Sequence, residues 1–249
     1  MFYLLGRGFR YLFYGVDFLL FTAVLYPLSF FPRALLERFY PTLFRRWCRS
    51  FVRALGVELR LHQKNRKPLP KTYLLIGNHP SAFEDIGIPA LFPVFSLAKI
   101  EVRDWWVVGR ISRAAGTLYV RREDRDSRRA AAREIEAVLQ QGRNVAVYPE
   151  GGCKGRRIFE RFHFGVFEIS LKTGIPILPV FLHYEAQESF EWAPGETLLQ
   201  KIYAMLRAQN KRVNYYVYDA FDPGRYRDKE EYARDAREHY LAWQARYLD

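Results

Sequence analysis

Tyr11 to Phe31 is the stretch that most limits what this chain can become. It is apolar and aromatic almost throughout, with Asp17 its one charged residue, Pro27 its one helix breaker, and Arg7 and Arg10 ahead of it. As a helix, about 21 residues rising 1.5 Å each reach roughly 31 Å, one hydrocarbon core. A secretory signal would also begin with arginines and an apolar run, but this run outlasts a typical h-region and no A-x-A cleavage site follows it. Asp17 near its middle would cost a lone spanning helix about 2.5–3.5 kcal/mol on insertion scales. A helix lying in the membrane interface therefore competes with one that spans.

The next segment, Pro32 to Leu55, sets Leu36, Tyr40, Leu43, Phe44, Trp47, Phe51 and Leu55 at helical spacing, with Arg38, Arg45, Arg46, Arg49 and Arg53 mostly between them. An apolar stripe flanked by arginines suits a helix in the headgroup layer, where the stripe enters the acyl boundary and guanidinium groups meet lipid phosphates. The competing reading is an ordinary helix packed on a domain. Coming straight after the apolar run, the segment is read as the second half of a membrane-docking helical hairpin over 1–55, with Pro27 and Pro32 at its turn. Residues 56–249 are then left for one soluble domain.

Charge and composition narrow the partners. The 249 residues hold 39 Lys+Arg against 27 Asp+Glu, a formal net charge of +12, which calls for an anionic partner, nucleic acid or an anionic membrane surface. An apolar fraction of 49% excludes a disordered chain, and a mean hydropathy of −0.24 excludes a polytopic membrane protein. Cys48 and Cys153 alone make neither a disulfide framework nor a zinc cluster, which fits a reducing compartment, and no metal is expected. No phosphate-binding glycine loop of the GxGxxG or GxxxxGK[ST] kind occurs. The arginines between Arg121 and Arg133 lack the interleaved aromatics of a nucleic-acid surface, so nucleic acid is not expected as a partner.

From Val57 onward, short β-branched runs alternate with helical patterns, the mark of an α/β fold with a mixed, largely parallel sheet flanked by helices. The runs predict strands at Val57–Leu61, Tyr73–Gly77, Val94–Ala98, Thr117–Val120, Asn144–Tyr148, Ile177–Leu182 and Val213–Tyr218. Helices are predicted at Glu84–Ala90, Trp105–Ala114, Ser127–Gln141, Phe164–Thr173, Leu198–Ala208 and Lys229–Ala245. Asp126 is the expected cap of the third of these.

Among the histidines only His79 combines a strand end with nearby acids, in the run from Gly77 through Asn78, His79, Pro80 and Ser81 to Glu84 and Asp85. A carboxylate on one ring nitrogen leaves the other free as a general base, help typically worth 10²–10⁴-fold in rate. Asn78-His79-Pro80-Ser81 with Glu84 resembles the NHxSxxD block of the glycerolipid acyltransferase superfamily. Lys99-Ile100-Glu101-Val102, Gly109 and Gly116 to Arg122 resemble its second block, running from K-x-E-L to G-x-I-F-x-x-R. Tyr148-Pro149-Glu150-Gly151 is similar to FPEG, and Ile175 to Val180 to V-P-x-x-P-V. The blocks come in the family's order.

The resemblance implies transfer of an acyl group from acyl-CoA or acyl-carrier protein, as co-substrate and without a further cofactor, to the hydroxyl of a lysophospholipid of the 1-acylglycerol-3-phosphate type. His79, with Glu84 or Asp85, would take the hydroxyl proton. Asn78, Ser81, Lys99, Arg122, Glu150, Gly151, Gly152 and Lys154 would bind substrate. Such an enzyme of phospholipid biosynthesis would sit on an inner membrane, with its catalytic domain on the cytoplasmic side.

Two departures stand out. The fifth position after His79 is Glu84 where the family has Asp, and Asp85 stands directly behind it. Where the family continues EG with Thr-Arg-Ser, this chain has Gly152-Cys153-Lys154, so an arginine is missing; Lys154, Arg156 and Arg157 are the charges left to replace it. Lysine lacks the guanidinium fork. A lyso-ornithine or other amino-acid lysolipid is thus an alternative acceptor, and a non-catalytic membrane lipid-binding protein an alternative of another class. Cys153 with His163 as its base is a weaker nucleophile reading. Residues 185–211 match no block and are read only as cover for an acyl tunnel.

Overall fold

The computed structural model describes residues 2–192 and 195–249. Helix α1 (Phe2–Leu28), the short α2 (Arg33–Leu36) and α3 (Tyr40–Leu55) come first. There follow β1 (Glu58–Gln63), β2 (Leu74–Gly77), α4 (Glu84–Leu91), β3 (Val94–Lys99), α5 (Trp106–Ala114), β4 (Leu118–Val120), α6 (Arg125–Gln140), β5 (Asn144–Val147) and α7 (Gly165–Thr173). The chain ends through β6 (Ile177–Tyr184), α8 (Gln187–Phe190), α9 (Leu198–Arg207), β7 (Arg212–Val217) and α10 (Lys229–Tyr247). Among the described residues the strands form one sheet in the order β1-β7-β6-β2-β5-β3-β4, antiparallel between β6 and β7 and parallel elsewhere. This is the mixed, largely parallel sheet that the sequence predicts.

Helices cover both faces, which is why β2 reads as an unbroken apolar run instead of an alternating one. Leu75 joins one core layer with α3 and α4, while Leu74 and Ile76 face the other layer, built by α6, α7 and α10. The N-terminus of α6 is capped by Asp124, whose side chain accepts the Asp126 N–H at 2.8 Å. The expected cap, Asp126, lies inside the first turn, because the helix starts at Arg125.

The N-terminal hairpin forms, with α1 antiparallel to α3. Phe18 packs between Trp47 and Phe51, with ring centroids 5.4 and 5.0 Å away. Trp47 Nε1 donates to Thr22 Oγ1 (2.8 Å) and Tyr40 OH to the Leu25 carbonyl (2.9 Å). Asp17, the one charge in the apolar run, accepts from Ser50 Oγ at 2.6 Å. It faces α3, so its carboxylate points away from the apolar outer side.

One expectation is corrected here. The α3 stripe does not face outward: Leu36, Tyr40, Phe44, Trp47 and Leu55 are buried in the core shared with Leu75 and Ile88. The protein interior meets the same requirement that a bilayer would. Two of the arginines serve the fold as well, since Arg45 Nε donates to the Pro89 carbonyl (3.4 Å) and Arg49 Nε to that of Ala90 (2.7 Å), closing the C-terminal end of α4. An exposed apolar row runs along α1, where Leu12, Phe13, Val16, Leu19, Leu20 and Val24 are 46–66% exposed. Among the described residues one helical segment, Tyr11–Leu28, is long and apolar enough to cross a bilayer.

Candidate active site

The candidate residues gather beyond the C-terminal ends of the parallel strands, where open α/β sheets form their crevices. Asn78 leaves β2 and is consumed by the fold: its Nδ2 donates to the Leu182 carbonyl (3.0 Å) and its Oδ1 accepts the Leu182 N–H (2.7 Å). Ser81 is fully buried and opens α4. Its Oγ accepts the Phe83 N–H (3.1 Å), and its own N–H donates to Glu84 Oε2 (3.0 Å). This turn ahead of the helix holds the Glu84 carboxylate back toward the strand end. His79 Nδ1 donates to that same Oε2 at 2.7 Å. Asn78 and Ser81 therefore act by position, and neither side chain faces the opening.

Glu84, fully buried, is the acid that holds the imidazole. Its other oxygen, Oε1, accepts from Tyr184 OH. Both oxygens accept, so the carboxylate form fits the geometry, and the ring proton is assigned to Nδ1, leaving a lone pair on Nε2. Asp85 is half-buried, and its side chain makes no hydrogen bond among the described residues. Burial lowers the His79 pKa to about 4, with Asp85 opposing and Arg122 reinforcing, so the imidazole is neutral at pH 7. Burial pushes Glu84 upward, countered by the donors Tyr184 and the Ser81 N–H. Asp85 is raised to about 6, again mainly by burial.

The imidazole is fixed from three further sides. Its ring stacks on Tyr148, centroids 4.2 Å apart. Its backbone N–H donates to Glu150 Oε1 (3.1 Å), and its carbonyl accepts the Lys154 N–H (3.1 Å). Glu150 is 1% exposed, its Oε2 has no hydrogen-bond partner among the described residues, and burial raises its pKa to about 8. It is a strut for the His79 backbone in this structure and does not reach the opening.

Glycines shape the rim. Gly151 has φ 73°, and a Cβ there would lie 2.7 Å from the His163 ring. A Cβ on Gly152 would lie 3.1 Å from Arg122 Nη1, so the missing side chain lets the guanidinium close on this turn. Among the described residues, the N–H groups of Gly152 and Cys153 find no acceptor. They are free to serve an anion.

The remaining candidates lie further out. Lys99 ends β3 and pairs with Glu101 at 3.1 Å on the exposed rim. The Lys154 ammonium rests over the Phe159 ring at 4.3 Å. Arg156 pairs with Glu191 (3.1 Å) and Arg157 with Asp249, so two of the three expected replacements for the missing arginine are already engaged in ion pairs. Cys153 does not pair with His163. Its Sγ lies 3.7 Å from His79 Nε2, and burial raises the thiol to about 12, which keeps it protonated. No cluster of three or more His, Cys, Asp or Glu that could hold a metal occurs among the described residues.

Sequence reasoning missed the supports. Tyr184 ends β6 and supplies the second anchor of Glu84. Phe190, from the unplaced segment, stacks on Tyr184 (4.9 Å) and meets Phe83 edge-on (5.6 Å). The Trp192 N–H donates to the Pro80 carbonyl (3.2 Å), so the start of 185–211 backs the dyad from behind. The only advance signal was a tyrosine at the end of an apolar strand.

Known proteins resemble this chain in sequence and fold. The family model Acyltransferase matches residues 58–183. A lyso-ornithine lipid O-acyltransferase of Pseudomonas aeruginosa is 30% identical over 203 residues, covering 79% of this chain and 76% of that protein. A 1-acyl-sn-glycerol-3-phosphate acyltransferase of Neisseria gonorrhoeae is 29% identical over 115 residues, 46% of this chain and 45% of that one. The crystal structure of the 1-acyl-sn-glycerophosphate (LPA) acyltransferase PlsC from Thermotoga maritima superposes with a TM-score of 0.68 at 19% identity, over 96% of this chain and 97% of that one. With the family blocks in order, their residues drawn together at one strand edge and these relatives alongside, the chain belongs to the acyltransferase family.

Proposed function

We propose that this protein is a membrane-docked O-acyltransferase that moves an acyl group from an acyl thioester to the free hydroxyl of a lysolipid. The observation that carries the reading is the buried His79–Glu84 pair, with a neutral imidazole whose Nε2 is left on the side of the Cys153 thiol, 3.7 Å away. The hydroxyl binds beside Nε2, near the Cys153 thiol. Nε2 takes its proton as the oxygen attacks the thioester carbonyl, while Nδ1–H stays on Glu84 and the carboxylate stabilises the imidazolium. The carbonyl oxygen becomes an oxyanion, for which the unspent N–H groups of Gly152 and Cys153 are candidate donors. Collapse breaks the C–S bond, and His79 returns the proton to the departing thiolate. No acyl-enzyme forms.

The packing of α1 supports an interfacial helix over a spanning one. It lies along α3 from Asp17 to Leu25, its Tyr26 meets the 82%-exposed Trp106 at 6.3 Å, and the Lys211 ammonium rests on the Tyr11 ring at 4.9 Å. A helix held to its domain near both ends of its apolar run presents its outer row sideways to a bilayer. The cytoplasmic face of the inner membrane is the expected site.

For the acceptor, Arg122 beside Gly152 suits a phosphate, so 1-acylglycerol-3-phosphate is the first reading. Lyso-ornithine lipid is the second, favoured by Cys153 at the family's arginine position and by the name of the Pseudomonas relative. The test is transfer from labelled acyl-CoA and acyl-carrier protein to both lysolipids. Turnover of at least one pair is expected. No turnover, with anionic vesicles still bound, would replace this reading by a non-catalytic lipid-binding one.

A further inference from the structure

The arginines of α6 take no part in the chemistry above. Beside the site a groove of about 760 Å³ runs between α6 and α7, over β3, β4 and β5. Its floor is apolar, with Leu97, Val120, Ile135, Val147, Val166 and Ile169. Its rim carries Arg122, Arg125, Arg128, Arg129 and Arg133 against Glu123, Glu136 and Glu168. Two of those acids are already paired, Glu136 with Lys172 (2.6 Å) and Glu168 with Lys229 (2.9 Å). Arg125, Arg129 and Arg133 stand four residues apart on one helix face, a spacing at which like charges repel. Asp126 lies 3.7 Å from Arg129 and offsets part of this repulsion, while among the described residues Arg125 and Arg133 have no ion-pair partner.

One end of the groove, at Gly151, His163 and Arg122, adjoins the turn beside the catalytic site. Tyr148, which lines the groove, is the ring stacked under His79, and Arg122 on the rim reaches Gly152. The groove also opens on the sheet face opposite the membrane hairpin: α1 and α3 lie over α4, whereas α6 and α7 cover the other face. A lysolipid arriving from the bilayer side and a water-soluble donor would enter by different routes.

We propose that this groove binds the phosphopantetheine arm of the acyl thioester donor, with its sulfur end at His79, its amide chain on the apolar floor and its phosphate among Arg125, Arg129 and Arg133. The inference rests on the acyl-transfer reading above.

The test replaces Arg125, Arg129 and Arg133 together by Gln, which preserves helix propensity and leaves the buried face of α6 intact. The KM for acyl-CoA should rise about tenfold or more, while kcat and the KM for lysolipid stay within about twofold. With an acyl N-acetylcysteamine thioester, which carries no phosphate, the difference between wild type and variant should vanish. Acyl-carrier protein as donor should show the same rise as acyl-CoA, because the two share the arm's phosphate. An unchanged donor KM, a rise confined to the carrier protein, or an equal rise with the phosphate-free thioester would overturn the proposal. Desulfo-coenzyme A binding, measured without turnover, separates the two readings: arginine-dependent binding in a protein that transfers no acyl group defeats the activity and upholds the groove.

Discussion

Shortening Glu84 to aspartate, the acid that the family block usually carries, should cripple this protein. Glu84 Oε2 lies 2.7 Å from His79 Nδ1, and the turn leading into α4 is fixed by the Ser81 hydrogen bonds. Removing one methylene withdraws the carboxylate by about 1.5 Å. The contact then opens to roughly 4 Å, beyond hydrogen-bonding reach. His79 loses the group that fixes its tautomer, and Tyr184 OH, in a fully buried side chain, loses its acceptor. The first loss should lower kcat/KM by about 10²-fold or more, and the second should cost about 1–3 kcal/mol of stability. Initial rates of labelled acyl transfer, measured beside thermal melts, read both. Tyr184→Phe separates them, because it leaves Nδ1 paired: stability should fall by a similar amount and activity by much less. Glu84→Asp with wild-type kcat/KM and wild-type melting would refute the reasoning, and Asp85 would become the partner to test.

Three further outcomes follow from the same geometry. Asp85 raises the His79 pKa, so Asp85→Asn should lower it and carry the acid limb of the kcat/KM profile to lower pH, since the base works only when neutral; an upward shift would contradict the assignment. Glu150 is held at about 8 in the fold against a usual value of 4.5, so the folded chain keeps a proton that the unfolded chain has lost, and stability declines as pH rises from 4.5 through 8. Glu150→Gln should therefore stabilise by up to a few kcal/mol near pH 8 and by nothing near pH 4, whereas melts that differ equally at both would deny the buried acid. Leu12→Asp with Leu19→Asp changes two outward-facing residues of α1 and should weaken anionic-vesicle binding about tenfold or more at unchanged melting temperature; undiminished cosedimentation would take the docking role from α1.

The parts of the site legible in the sequence are those built by local chemistry. Asn78 to Glu84 is one strand end, one turn and one helix start, so the pairing of His79 with an acid a turn away could be read from spacing alone. The choice between Glu84 and Asp85 could not, because Tyr184, about a hundred residues later, helps to fix it. Arg156 and Arg157 looked available for the same reason: Glu191 and Asp249, which hold them, are distant in the chain. The α3 stripe illustrates another limit. Amphipathic periodicity locates an apolar face and says nothing about what covers it, and here α1 and the sheet core take the place expected of lipid. The sheet itself was readable because β2 and its parallel neighbours, buried on both sides, must be short and continuously apolar.

The most direct measurement is acyl transfer by His79→Ala, assayed with the lysolipid and thioester that the wild type uses, on protein whose melt and vesicle binding match the wild type. If Nε2 is the base, the rate falls by about 10²-fold or more while both substrates still bind. Undiminished transfer would mean that the proton leaves by another route, and the mechanism built on the His79–Glu84 pair would be wrong.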